Sequence, residues 1–213
     1  MVDQASPEPR KRAYHSPMRQ RQTEETRQKM LAVSRRLFLQ RGYAGTTTEA
    51  VAEEAGVSPR TVLAAFGSKR GILAELLSLN SFGEQYQELL GQLRGEPNPY
   101  ERVILIAQMT RQIYEASTPE FDLLRGAGAI APELADVYRE VGERHWSLQE
   151  RFITFLDTCG VLRADLSHTK ATDELWALTS FDLYRRLIIE RGWSTEEYET
   201  WLAQTLIQQL FQS

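Results

Sequence analysis

The stretch TTTEAVAEEAGVSPRTVLAAFGSKRGIL, residues 46–73, decides how this chain folds. Its pattern predicts two short helices joined by a tight turn at Gly56, because glycine tolerates the positive φ that such a turn requires. Thr46 is expected to cap the first helix, and Glu49, three residues later, completes a capping-box pattern. Pro59 suits the first position of the second helix. Two short helices crossing steeply around a glycine turn are typical of the helix-turn-helix unit that reads DNA.

Helical periodicity continues on both sides of this unit. Beyond the two short helices, the pattern predicts helices at residues 23–41, 68–93, 100–116, 120–125, 132–160, 169–191 and 194–211. Ser194 and Glu197 form a second capping-box pattern at the start of the last helix. No segment shows the period-two alternation that is typical of strands. We therefore predict an all-α fold with about nine helices.

Positive and negative charges are separated along the chain. Residues 1–75 contain 13 Lys and Arg against 8 Asp and Glu, whereas residues 76–213 contain 12 against 21. A basic N-terminal third that carries a helix-turn-helix favours phosphate binding at that end. Residues 1–22 are rich in Pro, Arg, Gln and Ser and lack apolar periodicity, so we expect a disordered basic arm there.

The composition disfavours several classes of protein. The single cysteine, Cys159, excludes an internal disulfide and cannot by itself form a metal site. No apolar run approaches the ~20 residues of a membrane-spanning helix. The N-terminus lacks the apolar core of a secretory signal, so the cytoplasm is the expected location. The motifs of serine hydrolases, zinc proteases and phosphate-binding loops are absent, and we expect no enzyme activity, metal or cofactor.

Three segments resemble the TetR family of transcriptional regulators. They are LFLQRGYAGTT at residues 37–47, VAEEAGVSPRTV at residues 51–62 and FGSKRGIL at residues 66–73. The resemblance implies a three-helix DNA-binding head, a helical body that binds a small molecule, and a homodimer built from the last two helices. We accordingly expect an arm at residues 1–22, a helix-turn-helix DNA-binding domain at 23–75 and a ligand-binding and dimerisation domain at 76–213.

The second helix of a helix-turn-helix presents its N-terminal residues to base edges. Arg60 is the one long donor there and suits a bidentate contact with guanine, the alternative being a phosphate contact or a solvated side chain. Threonines at the start of the first helix can hold a phosphate or serve only as caps. Lys69 resembles the family's phosphate-contacting lysine. The predicted DNA-binding residues are Thr46, Thr47, Thr48, Pro59, Arg60, Thr61, Ala64 and Lys69.

Two positions depart from the family pattern. Leu63 replaces a usual tyrosine, and Ala65 replaces a frequent histidine or tyrosine, so two contacts to the DNA backbone are expected to be lost. Such a loss weakens binding without changing which bases are read. Basic residues of the arm can compensate in a neighbouring minor groove, or they form a plain leader. These residues are Arg10, Lys11, Arg12, Arg19 and Arg21.

The body contains candidates for a ligand pocket and for a dimer interface. Aromatic, thioether and histidine side chains suit a pocket, although aromatics at helical spacing are more often core. The candidate ligand-binding residues are Phe82, Tyr86, Met109, Phe121, Tyr138, His145, Trp146 and Trp176. The candidate dimer interface comprises Leu175, Leu178, Leu187, Leu202, Leu206 and Leu210. The alternative is that these leucine stripes pack inside one subunit.

Together these features predict a homodimeric repressor that binds double-stranded operator DNA and is released by a small-molecule effector. The alternative is a helical small-molecule sensor with weakened or lost specific DNA binding, which the changes at Leu63 and Ala65 would favour.

Overall fold

The computed structural model describes residues 17–78, 83–127 and 132–212, and within these ranges the predicted all-α fold is confirmed. A π-helical turn at Arg186–Glu190 follows α9, and the one β-bridge described there joins Leu162 to Phe211. The helices are α1 (Pro17–Arg41), α2 (Thr48–Ala55), α3 (Pro59–Phe66), α4 (Lys69–Leu76), α5 (Gly83–Gly95), α6 (Pro99–Ala127), α7 (Pro132–Thr158), α8 (His168–Leu178), α9 (Phe181–Arg185) and α10 (Thr195–Leu210).

The turn between α2 and α3 forms as predicted. Gly56 has φ +70°, and its N–H donates to the carbonyl groups of Ala52 and Glu53 at the end of α2. Ser58 caps α3 by accepting a hydrogen bond from the Thr61 N–H, with a proline at the first helical position. Local sequence therefore determines where α2 ends and where α3 begins.

The prediction that Thr46 caps α2 is wrong. Thr47 is the N-cap residue, and its Oγ1 accepts a hydrogen bond from the Ala50 N–H at 3.1 Å. Thr46 is fully buried, and its hydroxyl donates to the Gly42 carbonyl at 2.9 Å. The cap lies one residue later than predicted because the Thr46 hydroxyl is bonded to the loop between α1 and α2.

Helix α1 begins at Pro17, so the predicted boundary between a disordered arm and a helix at residue 23 is also wrong. Residues 17–22 are mostly Met, Arg and Gln, which favour helix, and extending an existing helix requires no new nucleation. The hydroxyls of Thr23 and Thr26 donate to carbonyl groups one turn earlier. Residues 1–16, which include Arg10, Lys11 and Arg12, lie outside the described residues.

The helix predicted at residues 68–93 is two helices. Helix α4 ends at Leu76, and the N–H of Leu77 donates to the Leu73 and Glu75 carbonyl groups. Helix α5 begins at Gly83. Residues 79–82 lie outside the described part of the chain. The Ser78 N–H donates to the Glu75 carbonyl, three residues earlier, which closes the last turn of α4.

Helix α6 runs through Pro119, where a break was predicted between residues 116 and 120. A proline inside a helix costs roughly 3 kcal/mol because it lacks an N–H and crowds the preceding turn. Tyr114, Ser117 and Phe121 are buried on either side of the proline. Burial of these side chains against α9 outweighs that cost, so tertiary packing overrides the local signal.

The single helix predicted at residues 169–191 is broken at Thr179 and Ser180. Thr179 is buried and its hydroxyl donates to the Leu175 carbonyl at 2.7 Å, while Ser180 caps α9. The break directs Phe181 into an aromatic cluster, where its ring lies 4.8 Å from the Phe121 ring and 5.4 Å from the Tyr114 ring. Burial of the Phe181 ring therefore favours the break over a continuous helix.

The head, α1–α4, and the body share one hydrophobic core. A continuous cluster of buried side chains extends from Met30 in α1 to Phe211 after α10. Helix α1 packs on α6, α4 packs on α7, and α10 packs on α6 and α8. In the part of the chain that the structure describes, no helix is both long and apolar enough to cross a bilayer.

Candidate DNA-binding surface and ligand cavity

Helix α3 presents a small exposed face beside a buried anchor. Val62 is fully buried, whereas Pro59, Arg60, Thr61 and Ala64 are exposed. The guanidinium of Arg60 forms no hydrogen bond or ion pair with another described residue. A long donor at the start of an anchored helix, free of internal partners, can reach base edges in a major groove.

The other predicted DNA contacts differ in accessibility. Thr46 is buried and cannot reach DNA, which corrects its inclusion in the set. Thr47 is exposed and Thr48 half-buried at the N-terminus of α2. Lys69 donates to the Tyr43 carbonyl at 2.8 Å and lies 4.2 Å from the centre of the Tyr43 ring. These contacts hold the ammonium group in place at the start of α4.

The two unusual positions on α3 have different roles. Leu63 is 47% exposed and gives the helix an apolar surface patch. Ala65 is half-buried, and its carbonyl accepts a hydrogen bond from Arg27 at 2.8 Å. The same arginine pairs with Glu75 at 3.1 Å and lies 4.6 Å from the centre of the Phe66 ring. Arg27 therefore fixes the position of α1 relative to α3 and α4.

A groove of about 650 Å³ separates the first turns of α1 from α3. Sequence reasoning missed this groove, because it exists only when the two helices lie side by side. No carboxylate is among its described lining residues, and Arg19 and Arg27 are its cations. Its lining comprises Arg19, Gln22, Thr23, Thr26, Arg27, Met30, Thr61, Ala64 and Ala65.

A cavity of about 130 Å³ lies in the body between α6, α7, α8 and α9. Four of the predicted ligand residues line it, and Trp176 and Leu148, each more than a third exposed, lie at its surface. These four are Phe121, Tyr138, His145 and Trp176. Sequence reasoning missed other lining residues because no periodicity signals them; these include Thr110, Ile113, Gly142, Thr179 and Phe181.

Three predicted ligand residues lie elsewhere, and a fourth is not described. Tyr86 and Met109 belong to a separate small hydrophobic cluster between α5 and α6, because those two helices bury apolar side chains against each other. Trp146 points away from the cavity, where its Nε1 donates to Asp173 at 3.0 Å. The prediction is therefore wrong for these three residues, and Phe82 lies outside the described residues.

His145 is the polar centre of the cavity wall. The Gln149 Nε2 amide lies 2.8 Å from His145 Nε2 and 3.0 Å from Thr179 Oγ1. Because an amide nitrogen only donates, His145 Nε2 accepts, and the imidazole proton lies on Nδ1. Burial lowers the pKa of His145 from 6.5 to about 4. The imidazole is therefore neutral near pH 7, with one N–H donor.

The buried imidazole predicts a stability that falls in mild acid. Between pH 6.5 and 4 the unfolded chain binds a proton at His145 that the folded chain does not, so unfolding becomes easier as the pH falls. From pH 7 to pH 5 the free energy of unfolding should drop by about 2 kcal/mol through this residue. Urea titrations at both pH values measure the drop in the natural protein and in His145→Gln. An equal drop in the two proteins would show that His145 does not cause this pH dependence.

The predicted dimer leucines are mostly internal. Leu175, Leu202, Leu206 and Leu210 are completely buried within one subunit, so the prediction that they contact a partner is wrong. They fill the interface where α10 packs on α6 and α8, so the apolar faces of α8 and α10 are buried inside the subunit. Leu178 and Leu187 are half-buried and retain some accessible surface.

Among the described residues, two ion pairs join the head to the body. Arg35 of α1 pairs with Glu120 of α6 and also donates to the Ala116 carbonyl. Arg70 of α4 pairs with Glu140 of α7. Glu120 is 3% exposed at its side chain, and its Oε2 has no hydrogen-bond partner among the described residues.

Comparisons with known proteins agree with this architecture. Residues 30–76 match the family model described as bacterial regulatory proteins, tetR family. The chain is 27% identical over 135 residues to the HTH-type transcriptional regulator YvkB of Bacillus subtilis, covering 63% of this chain and 68% of YvkB. It is 32% identical over 96 residues to the HTH-type transcriptional regulator AcrR of Shigella flexneri, covering 44% and 45% of the two chains.

The fold is also shared with solved structures. A transcriptional regulator from Saccharomonospora viridis, solved in complex with choline, superposes with a TM-score of 0.64 and 21% identity over 89% of this chain and 100% of that one. The match of residues 30–76 to the family model identifies the head as a DNA-binding domain of the TetR family of transcriptional regulators, and the chain as a whole shares its fold with such solved structures.

Proposed function

We propose that this protein is a homodimeric repressor that binds a specific operator through residues 23–75 and leaves it when a small molecule enters the body. The observation that carries the proposal is Arg60, which is exposed at the start of an anchored α3 and has no partner among the described residues. Arginine at this place in a helix-turn-helix reads guanine bidentately. Residues 76–213 hold the cavity and supply the surfaces for dimerisation.

Release from DNA requires that the cavity communicate with the head. Phe121 lines the cavity and directly follows Glu120, which pairs with Arg35 of α1. Tyr138 lines it one half-turn before Glu140, which pairs with Arg70 of α4. A ligand that displaces these two rings moves the anchor points of the head. In a dimer such a movement changes the spacing of the two α3 helices, and the spacing must match the half-sites.

Selection from random double-stranded DNA, followed by affinity measurement at about 0.15 M salt, tests the DNA-binding part. A two-fold symmetric consensus bound ~10³ or more times more tightly than scrambled DNA is the expected result. Sedimentation of the free protein and of its complex gives the stoichiometry, for which we expect two subunits per operator. Failure of selection to return any consensus would overturn the proposal.

A second candidate is a sensor that has lost specific DNA recognition. Leu63, 47% exposed on α3, favours it, because an apolar side chain replaces a residue that usually contacts the DNA backbone. A sensor would bind a small molecule and show only weak, sequence-indifferent DNA affinity. The selection experiment therefore separates the two functions.

The groove between α1 and α3 predicts a phosphate contact at Arg19. We expect Arg19→Ala to weaken binding to every DNA sequence by a similar factor. Losing one phosphate contact should reduce the slope of log K against log salt by about 0.9 per subunit. Binding to a mixed-sequence duplex and to selected DNA, each titrated with salt, measures both effects.

Arg94→Ala is the matched control, because Arg94 carries the same charge at an exposed position of α5 and does not line the groove. It should change the salt slope much less. Identical effects of the two substitutions would mean that only overall charge matters, and altered base preference in Arg19→Ala would point to a base contact instead.

A further inference from the structure

The size of the body cavity limits what it can bind. Its volume is about 130 Å³. An apolar protein cavity of roughly 150 Å³ accommodates benzene, so this one has room for about one aromatic ring. A long acyl chain or a multi-ring compound would not be fully enclosed in that space. The walls suit a ring, since Phe121, Phe181 and Trp176 contribute aromatic surface and Ile113 and Leu77 contribute aliphatic surface.

The charge of the lining is equally restrictive. Among the described lining residues there is no carboxylate and no lysine, and the one ionised side chain, Arg144, is exposed to solvent. A buried organic cation would find no counter-ion, and a buried anion would depend on an arginine that water already solvates. Burying an unpaired charge is strongly unfavourable. The cavity therefore selects for an uncharged molecule.

His145 offers a hydrogen-bond donor to a ligand. His145 Nε2 is occupied by Gln149 at 2.8 Å, and the Thr179 hydroxyl donates to the Leu175 carbonyl at 2.7 Å. The Thr110 hydroxyl likewise donates to the Ile106 carbonyl, at 2.8 Å. The proton on His145 Nδ1 has no partner among the described residues, although the imidazole lines the cavity. A ligand with an acceptor atom satisfies it.

We propose that the cavity binds an uncharged, single-ring aromatic compound whose carbonyl or ether oxygen accepts a hydrogen bond from His145 Nδ1. Recognition combines burial of one ring among aromatic and aliphatic side chains with one directional contact, as in most small-molecule sites. The identification of this compound as the effector rests on the proposed function, whereas its binding does not.

Isothermal titration calorimetry on the full chain tests the class with four probes of similar size. Acetophenone is neutral and carries an acceptor, toluene lacks the acceptor, benzoate is an anion and benzylammonium is a cation. We expect acetophenone to bind at least tenfold more tightly than each of the others. Tightest binding of either charged probe, or no binding of acetophenone, would overturn the proposal.

Two variants locate the site. His145→Phe keeps a ring but removes the donor, so acetophenone should fall to the affinity of toluene. Gly142→Leu fills the cavity and should abolish binding of all probes; a Cβ at Gly142 meets no atom within 4 Å, so the chain should still fold. Gly91→Leu, at an equally open glycine on α5 outside the cavity, is the control and should bind normally. Normal binding by Gly142→Leu would place the ligand elsewhere and overturn the proposal.

A separate readout distinguishes the ligand from its role. Acetophenone added to the complex with selected DNA should lower DNA affinity at least tenfold in the natural protein and not in Gly142→Leu. Calorimetric binding without DNA release would uphold the ligand class and overturn the effector role. Absence of specific DNA binding from the start would overturn the proposed function alone.

Discussion

Replacing Arg60 with alanine should remove most of the preference for selected DNA over unrelated DNA. A bidentate arginine–guanine pair contributes about 1–3 kcal/mol to discrimination, and a dimer contains two such pairs. Affinity for the selected operator should therefore fall by roughly 10²- to 10⁴-fold. Affinity for a mixed-sequence duplex should change far less, because that binding depends on phosphate contacts. Fluorescence anisotropy with both duplexes at one salt concentration measures the two changes.

Two further substitutions make this prediction specific to base reading. Arg60→Lys keeps the charge but loses the planar fork, so it should preserve non-specific affinity and still lose discrimination. Arg94→Ala removes the same charge from an exposed site on α5 and should leave both affinities close to normal. If Arg60→Ala weakened both duplexes equally, Arg60 would be a phosphate contact, which was the alternative reading of this residue.

Arg35→Ala should destabilise the protein by about 2–3 kcal/mol. The substitution leaves the Glu120 carboxylate, 3% exposed, buried without its counter-ion. Breaking a fully buried pair costs about 3–5 kcal/mol, and the effect is smaller here because Arg35 is 44% exposed. Chemical denaturation at pH 7 measures the loss.

The second substitution Glu120→Gln, added to Arg35→Ala, should recover part of this loss because the buried group is then neutral. Arg36→Ala is the matched control on the same helix, since its partner Glu54 is far more accessible, and it should cost less than about 1 kcal/mol. Equal losses in Arg35→Ala and Arg36→Ala would show that Glu120 does not depend on its partner.

In the proposed mechanism of ligand release, the Arg35–Glu120 ion pair connects stability with regulation. Because the head and the body share one hydrophobic core, the head is not free to rotate independently of α6 and α7. Glu120 and Glu140 are the attachment points of α1 and α4 on the body. Moving these two carboxylates would therefore shift α1 and α4. Arg35→Ala should therefore reduce the response of DNA affinity to a ligand, in addition to lowering stability.

Features that depend on a few neighbouring residues could be predicted from the sequence. The glycine turn at Gly56, the caps at Ser58 and Ser194 and the proline at the start of α3 are all present. These signals are reliable because backbone sterics and short-range hydrogen bonds decide them. Even so, the cap of α2 moved from Thr46 to Thr47, because the loop before it required the hydroxyl of Thr46.

Features that depend on burial could not be predicted in this way. Pro119 lies inside α6, and Thr179 lies at a break that the periodicity did not indicate. The apolar stripe of α10 was consistent with a dimer interface or with a core, and only the packing of α6 and α8 against it decided for the core at Leu202 and Leu206.

The sequence by itself determined the helix-turn-helix, the exposed position of Arg60 and the all-α class, because each follows from local periodicity and from residues within one or two turns. The tertiary structure decided the cavity around His145, the groove beside Arg19 and the link between Arg35 and Glu120. Each of these joins residues from helices that are distant in sequence, and the energy of burial, which no short segment contains, selects which helices meet.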